Sequence, residues 1–575
     1  MATGKSTDGD VFLKMRQAKV EYKNAINKHR TESESKFSDE LSEALMYKNK
    51  NNFWKSWNSK FRKKNKNNKM VGGYNNDDDI AQVFKEYFSH TCTPNNESVH
   101  NAYKDDFLKN FEKYSIYEER NDLFTIENIE NAVYKLKKGK AAGSDNVTVE
   151  HLVYAHPCLF ACIKILFNLM LTNGVVPDEF GKGLLIPLLK DSSGDAAQCD
   201  NYRGITLSCV VSKVFEYALL EKYSSLFMTD NLQFGFKNGV GCSDALFTVK
   251  SVVNHFVKNG CTVTITALDI SKAFDRISHY ALFSKLMSRK FPKQVISVFV
   301  SWYTKCFVKV KWNDKLSDSF QTTAGVRQGG VLSPLLFAIY IEEIIHVLKV
   351  QKKGCIVGRV YVGCFLYADD ILLISQSLTC MQSMLNTCSK ISEQLDLKFN
   401  VKKSAVLRIG RRYDLKCNSL LLDGQVVSFV DEIKYLGIYI RSGLAFNRSF
   451  CSSKIKFYRC FNAIYSKASF ASEEVLINLF RCYCLPIITY ACESVYPSKT
   501  DIKSLNKLIT TVFYRIFHTF DSDVISVIRD FFDLSDIATI LERSHNNFIA
   551  KYFRKNFTFS TVVYSIYCRS RCLLK

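Results

Sequence analysis

The stretch CFLYADDILLIS limits what this chain can become more than any other. Apolar, β-favouring residues flank Asp369 and Asp370: Phe365, Leu366 and Tyr367 before, Ile371, Leu372, Leu373 and Ile374 after. Two apolar runs joined by an Asp-Asp pair predict a β-hairpin with the two carboxylates as its turn. The runs are too continuously apolar for a surface hairpin. The expected sheet is therefore covered on one side and close to the chemistry on the other. Adjacent carboxylates there repel each other and lose hydration. Divalent cations relieve that cost, because hard ions prefer carboxylate oxygens. Aspartate is also a common turn residue, so this stretch alone leaves a structural turn and a metal site both open.

Composition narrows the choice. A chain of 575 residues with 47% apolar content has room for a few domains and a substantial core. Lys and Arg number 78 against 56 acidic residues, a net charge of +22, which points to a polyanionic partner, nucleic acid ahead of acidic membrane. No apolar run reaches the length of a membrane span, and the opening MATGKSTDGD lacks the apolar core of a secretory signal. The 20 cysteines have no framework spacing and no complete zinc-ligand pattern, so they read as reduced, buried thiols of an intracellular protein.

The first 70 residues are polar, with a ragged helical stripe over 11–50. Phe53, Trp54 and Trp57 then precede a basic cluster at Arg62, Lys63, Lys64 and Lys66. That mixture suits a nucleic-acid contact or an import signal, and equally a solvated linker with one packed aromatic turn. Asp77–Asp79 start a helix. Thr125 with Asn128 caps another, whose expected end is Gly139. LLIPLLK predicts a strand, and VKVKWNDKLSDSFQ a hairpin. Ser333-Pro334 predicts a helix start with serine as the cap. Residues 441–575 are basic, aromatic and mostly helical in pattern.

A third carboxylate stands out. Asp269 closes a strand and shares a face with Val263, Ile265 and Ala267. A carboxylate ending an apolar face needs a partner, and a metal supplies one. Neighbouring antiparallel strands would bring Asp269, Asp369 and Asp370 together, as two-metal phosphoryl transfer requires.

LDISKAFDRI, AGVRQGGVLSPLLFAIYI, FLYADDILLIS, LKFNVKKSAVL and IKYLGIYI follow one another in that order. Upstream stand GKAAGSDNVTVEHL, IPLLKDSS…NYRGITL and QFGFKNGVGCSDAL. As an ordered set over residues 125–440 they resemble the reverse transcriptases of non-LTR (LINE-type) retrotransposons. The resemblance implies an α+β, right-hand polymerase with an antiparallel palm sheet, fingers and a helical thumb. Residues 1–70 would be a basic N-terminal segment, partly disordered or helical, and 71–124 a helical extension. Fingers and palm would occupy 125–440, and the thumb 441–575.

The resemblance also implies roles. Asp269, Asp369 and Asp370 would hold two Mg²⁺ ions, with Mn²⁺ as the alternative and the Ile270 carbonyl as a further ligand. Phe274 would be a steric gate against a 2′-hydroxyl, and also reads as an ordinary core ring. Gln328 would lie near the nucleotide, where Gly329 and Gly330 let the backbone approach. Arg203 and, more weakly, Lys190 would meet the triphosphate; each also reads as a surface charge. Lys403 would protonate the leaving pyrophosphate, and also reads as a solvated loop lysine. Tyr435, Leu436 and Gly437 would form the primer grip. Expected partners are an RNA template, a DNA primer or target and dNTPs, with no membrane, in nucleus and cytoplasm.

The chain departs from the pattern in three places. Arg203-Gly204-Ile205-Thr206-Leu207 replaces a frequent Arg-Pro-Ile-Ser-Leu, which is expected to loosen a loop. No endonuclease signature precedes residue 125, and no Cys/His knuckle closes the sequence. The alternatives are a nucleic-acid-binding protein with an inactive polymerase fold, or a group II intron-type maturase.

Overall fold

The computed structural model describes residues 10–61, 70–117, 123–191, 194–555 and 558–572. The basic cluster at 62–66 lies outside them. The chain divides into two units, one built from 1–66 with 448–551, the other from 67–447 with 552–575.

The larger unit holds the motifs, and its sheets follow directly from their alternation. A four-stranded sheet is formed by β1 (Lys182–Leu189), β2 (Tyr202–Ser208), β4 (Phe307–Trp312) and β5 (Lys315–Gln321), in the order β2-β1-β4-β5. Between its halves in sequence comes β3 (Val263–Asp269). A short ribbon, β6 (Ile356–Val357) and β7 (Val360–Tyr361), precedes the predicted hairpin of β8 (Cys364–Tyr367) and β9 (Asp370–Ser375). With β10 (Ala405–Ile409), β11 (Leu420–Leu422) and β12 (Gln425–Phe429) these make a six-stranded sheet ordered β11-β12-β10-β3-β9-β8. Its four strands β10-β3-β9-β8 are antiparallel, whereas β10 and β12 run parallel. A separate hairpin, β13 (Glu432–Tyr435) with β14 (Ile438–Arg441), follows.

Both faces of this sheet are covered, not one. Helix Cys242–Lys258 packs on β3 and β8, and helix Leu378–Gln394 on β9. Phe365 on one face meets Phe559, while Cys364 on the other lies within electrostatic reach of Cys388. This is why the flanks read as unbroken apolar runs. The chemistry is left to the strand ends.

Helix α3 (Asp77–Thr91) follows α1 (Asp10–Met46) and α2 (Lys50–Phe61) in the chain but belongs to the larger unit. Its Ile80, Phe84 and Phe88, four apart, bury against Val308, Val310, Trp312 and Tyr202 of the four-stranded sheet. Each such ring contributes about 2–3 kcal/mol by leaving water. Gly204 makes this packing possible. It lies within β2, opposite Pro187, and not in a loop; a Cβ there would come 2.9 Å from the Phe88 ring and 3.0 Å from Leu185.

Two helix ends differ from expectation. Thr125 and Asn128 form the predicted capping box, but the helix Ile126–Tyr134 stops well before Gly139. Helix Ser333–Val350 begins at serine, with Leu332 as its cap; the buried Glu216 carboxylate accepts the Leu332 N–H at 2.6 Å in place of a serine hydroxyl.

In the smaller unit, Leu41 of α1 and Phe53 and Trp57 of α2 share one core with Phe457, Phe461, Leu505 and Phe513 of the C-terminal helices. Phe53 and Trp57 are therefore core residues and not a nucleic-acid contact. The cysteines from Cys92 to Cys492 are free thiols, but Cys158, Cys162, Cys451 and Cys482 are exposed and not buried as expected; among the described residues no helix is long and apolar enough to cross a membrane.

Candidate active site

The hairpin turn is Ala368-Asp369, one residue earlier than the Asp-Asp turn expected. Tyr367 pairs with Asp370, so Asp370 is the first residue of β9. Ala368 takes φ 56° while Asp369 stays negative, the sign pattern of a II′ hairpin. One register further, Asp269 pairs directly with Asp370 across β3 and β9. Facing residues of antiparallel strands project to the same side with Cβ atoms about 5 Å apart. The fold thus brings all three carboxylates to one end of the sheet.

Their electrostatics follow from that placement. Burial raises Asp269 above the usual carboxylate range, with Asp369 adding to the effect and Lys403 and Lys190 opposing it. Burial pushes Asp370 up to about 6, helped by Asp369 and Asp269 and opposed by Lys434. Among the described residues, no three carboxylate, thiol or imidazole groups form a preformed metal cage. The donor chemistry nevertheless fits: hard oxygens short of positive partners on adjoining strands are what divalent cations neutralise.

A cavity of about 730 Å³ opens beside them. Asp269, Ile270, Asp369 and Lys403 line it, together with Lys190, Arg203, Phe274, Gln328 and Gly329. Asp370 and the turn at 435–437 are not part of its lining. Lys403 is placed by the tight turn after Asn400, whose own N–H bonds the Asp269 carbonyl at 2.8 Å. Ile270 is buried and bridges Phe399. The Phe274 ring stacks on Phe337 at 4.5 Å and meets Phe236 edge-on at 6.3 Å. Arg203 is exposed on β2, and its charge, with that of Lys403, lowers the Lys190 ammonium after burial has done most of the work.

The Gly-rich turn is bound to the segment after Asp269 by several bonds. Val326 N–H donates to the Phe274 carbonyl at 2.8 Å, and Gly325 N–H to that of Ile277 at 2.8 Å. Gln328 Nε2 donates to the half-buried Asp275 carboxylate at 2.7 Å, while its main-chain oxygen accepts from Thr206. Gly329, at φ 125°, leaves room for that approach: a Cβ would lie 2.7 Å from the Thr206 carbonyl oxygen.

Tyr435 pairs with Ile438 around Leu436 and Gly437, both at positive φ, which is a I′ turn. The buried Tyr435 hydroxyl is pushed well up by burial first and then by Asp370, which places this turn near the double-Asp strand.

Residues not foreseen also line the cavity: Tyr87 and Thr91 of α3, Asp200, Lys272 and Asp275. Lys272 and Asp275 stand within LDISKAFDRI and were readable as polar neighbours of Asp269 and Phe274. Nothing local in 77–91 signals that α3 reaches this site.

Residues 189–440 match the family model described as reverse transcriptase (RNA-dependent DNA polymerase). The chain carries a reverse transcriptase domain. Over 281 residues the chain is 26% identical to the retrovirus-related Pol polyprotein of the type-2 element R2DM of Drosophila melanogaster, covering 48% of this chain and 26% of that protein. The RNA-directed DNA polymerases of the mobile element jockey are similar at 25% identity in Drosophila melanogaster, covering 56% of this chain and 36% of the relative, and at 26% in Drosophila funebris, covering 65% and 41%. The chain thus spans well under half the length of these curated relatives. Telomerase of Candida albicans aligns at 12% identity and TM-score 0.35 over 93% of this chain and 92% of that one.

Proposed function

We propose that this chain is the RNA-directed DNA polymerase of a non-LTR retrotransposon, extending a DNA 3′ end on an RNA template. The observation that carries the proposal is the direct pairing of Asp269 with Asp370 beside the Asp369 turn. In this reading 125–440 is fingers and palm and 441–575 the thumb, and the reaction takes place where template RNA meets target DNA, in nucleus and cytoplasm.

Asp269, Asp369 and Asp370, with the Ile270 carbonyl, would hold a pair of divalent cations, Mg²⁺ or else Mn²⁺, that acidify the primer hydroxyl and neutralise the pyrophosphate. The protein's own side chains do the rest. Lys190 and Arg203 bind the triphosphate oxygens. The Phe274 ring, backed by Phe337, occupies the space a ribose 2′-hydroxyl would need. Gln328, held through its amide nitrogen by Asp275, keeps its carbonyl oxygen directed away from that bond. Lys403 donates a proton to the departing pyrophosphate. The turn at Tyr435, Leu436 and Gly437 supports the primer end. Retention of all three carboxylates favours turnover over an inactive binding protein.

Primer extension with purified protein on poly(rA)/oligo(dT) tests this. The wild type incorporates dTTP only with divalent cation, and Asp369→Asn loses at least about 100-fold in rate. Equal incorporation by both proteins would refute the assignment.

A further inference from the structure

We propose that Lys272 is a third cationic contact for the nucleotide triphosphate and that Asp200 holds its place until the nucleotide arrives. The inference rests on the polymerase reading and extends it to residues not assigned above.

Lys272 lies between Asp269 and Phe274 and lines the same cavity. Its backbone sits at φ 49°, a left-handed conformation that costs a non-glycine residue on the order of 1 kcal/mol. The chain accepts that cost while aiming the side chain across the pocket at α3. There Nζ donates to Thr91 Oγ1 at 3.2 Å and stands 4.5 Å from the centre of the Tyr87 ring. The same Nζ lies 3.7 Å from Asp200 Oδ1.

Asp200 collects positive and donor groups from every side. The Tyr87 hydroxyl donates to Oδ1 at 2.7 Å, and Lys190 Nζ donates to the Asp200 main-chain oxygen at 2.6 Å. Two ammonium groups and a phenol therefore converge on one acidic residue at the wall of a nucleotide-sized cavity. The Asp200 side chain is 77% exposed, so it can swing into solvent without breaking a core. A triphosphate offers more charge and more acceptor oxygens than one carboxylate and would displace it. Lys272 is then released onto the incoming anion beside Lys190, whose ammonium stays on the Asp200 main-chain oxygen.

A plain exposed ion pair, worth about 0–1 kcal/mol, makes no demand on nucleotide affinity. The placeholder makes two demands of opposite sign. In primer extension by the full chain with dTTP titrated, Lys272→Met raises KM about tenfold while kcat changes little, and Lys272→Arg restores most of the affinity. Asp200→Asn lowers KM about threefold, because Lys272 loses its competitor. Far-ultraviolet circular dichroism checks folding; were Lys272→Met unfolded, Lys272→Gln and the exposed Asp200→Asn carry the same test. An unchanged KM in the Lys272 variants, or a KM raised by Asp200→Asn, overturns the inference while wild-type extension preserves the polymerase reading. Absence of wild-type extension removes that reading itself.

Discussion

His279 shows how a single residue couples the Gly-rich turn to acidity. Its buried ring donates from Nε2 to the Gly325 carbonyl at 2.8 Å and packs edge-on against Tyr303 at 4.6 Å. Burial lowers its pKa from 6.5 to about 4. In the unfolded chain the ring takes up a proton near pH 6.5, but in the folded chain only near pH 4. Between those values the unfolded state binds more protons, so stability is full above about 6.5 and falls as the pH drops towards 4. Over pH 7 to 5 this ring alone removes about 2 kcal/mol. His279→Gln keeps a donor for Gly325 and lacks the titration. Comparison of the two proteins' urea midpoints at pH 7 and pH 5 should show a smaller acid loss in the variant, and equal losses would contradict the assignment. The raised Asp269 and Asp370 carboxyls act with the opposite sign, so the difference between proteins is the quantity to read.

The hairpin is seated by an element far away in sequence. Phe234 N–H donates to the Leu366 carbonyl at 2.8 Å and Leu366 N–H to that of Leu232 at 2.9 Å, so Gln233 forms an isolated parallel bridge with Leu366 of β8. The buried Gln233 Oε1 accepts from Gly235 N–H at 2.9 Å and from Ala368 N–H at 3.2 Å, fixing the turn next to Asp369. A Cβ on Gly235 would come 2.5 Å from the Ala368 nitrogen. Gly235→Ala should therefore displace the turn. We expect extension activity to fall at least about tenfold with a stability loss of about 1–3 kcal/mol, measured by primer extension and thermal melting. Much of this element structure was legible. Alternation marked the strands, Thr125 with Asn128 marked a helix start, and the acidic residues were readable as a set. The turn slipped by one residue because Ala368, which rarely adopts positive φ, looked less suited to a turn than Asp370. The role of Gly204 and the reach of α3 were hidden, since each depends on a surface built elsewhere in the chain. The apolar runs did carry the signal of a sheet buried on both faces. An open face was expected because the carboxylates suggested one, whereas they needed only a strand end.

At the scale of the molecule the two units are interleaved in sequence. Residues beyond 551 return to the larger unit, where Lys555 pairs with the buried Asp244 at 2.6 Å, Tyr552 bonds Thr248 at 2.7 Å, and Phe559 packs on Phe234 and Phe365. Lys555→Met removes the ammonium from the Asp244 carboxylate, which still accepts the Gly241 N–H at 2.7 Å. The expected cost is about 2 kcal/mol, read from the urea midpoint, and Asp244→Asn in the same chain should recover part of it. No change in midpoint would show the pair to be idle.

The wall behind the double-Asp hairpin therefore arrives late. During translation the strands of that sheet leave the ribosome long before Phe559 does, and until then the Phe365 ring lacks the partner that packs on it. A nascent chain in this state presents Phe365 and its neighbours to whatever chaperone or neighbouring polypeptide is at hand. The site of Asp269, Asp369 and Asp370 would be finished only after synthesis had moved well past it, which ties the timing of its completion to the making of residues beyond 551.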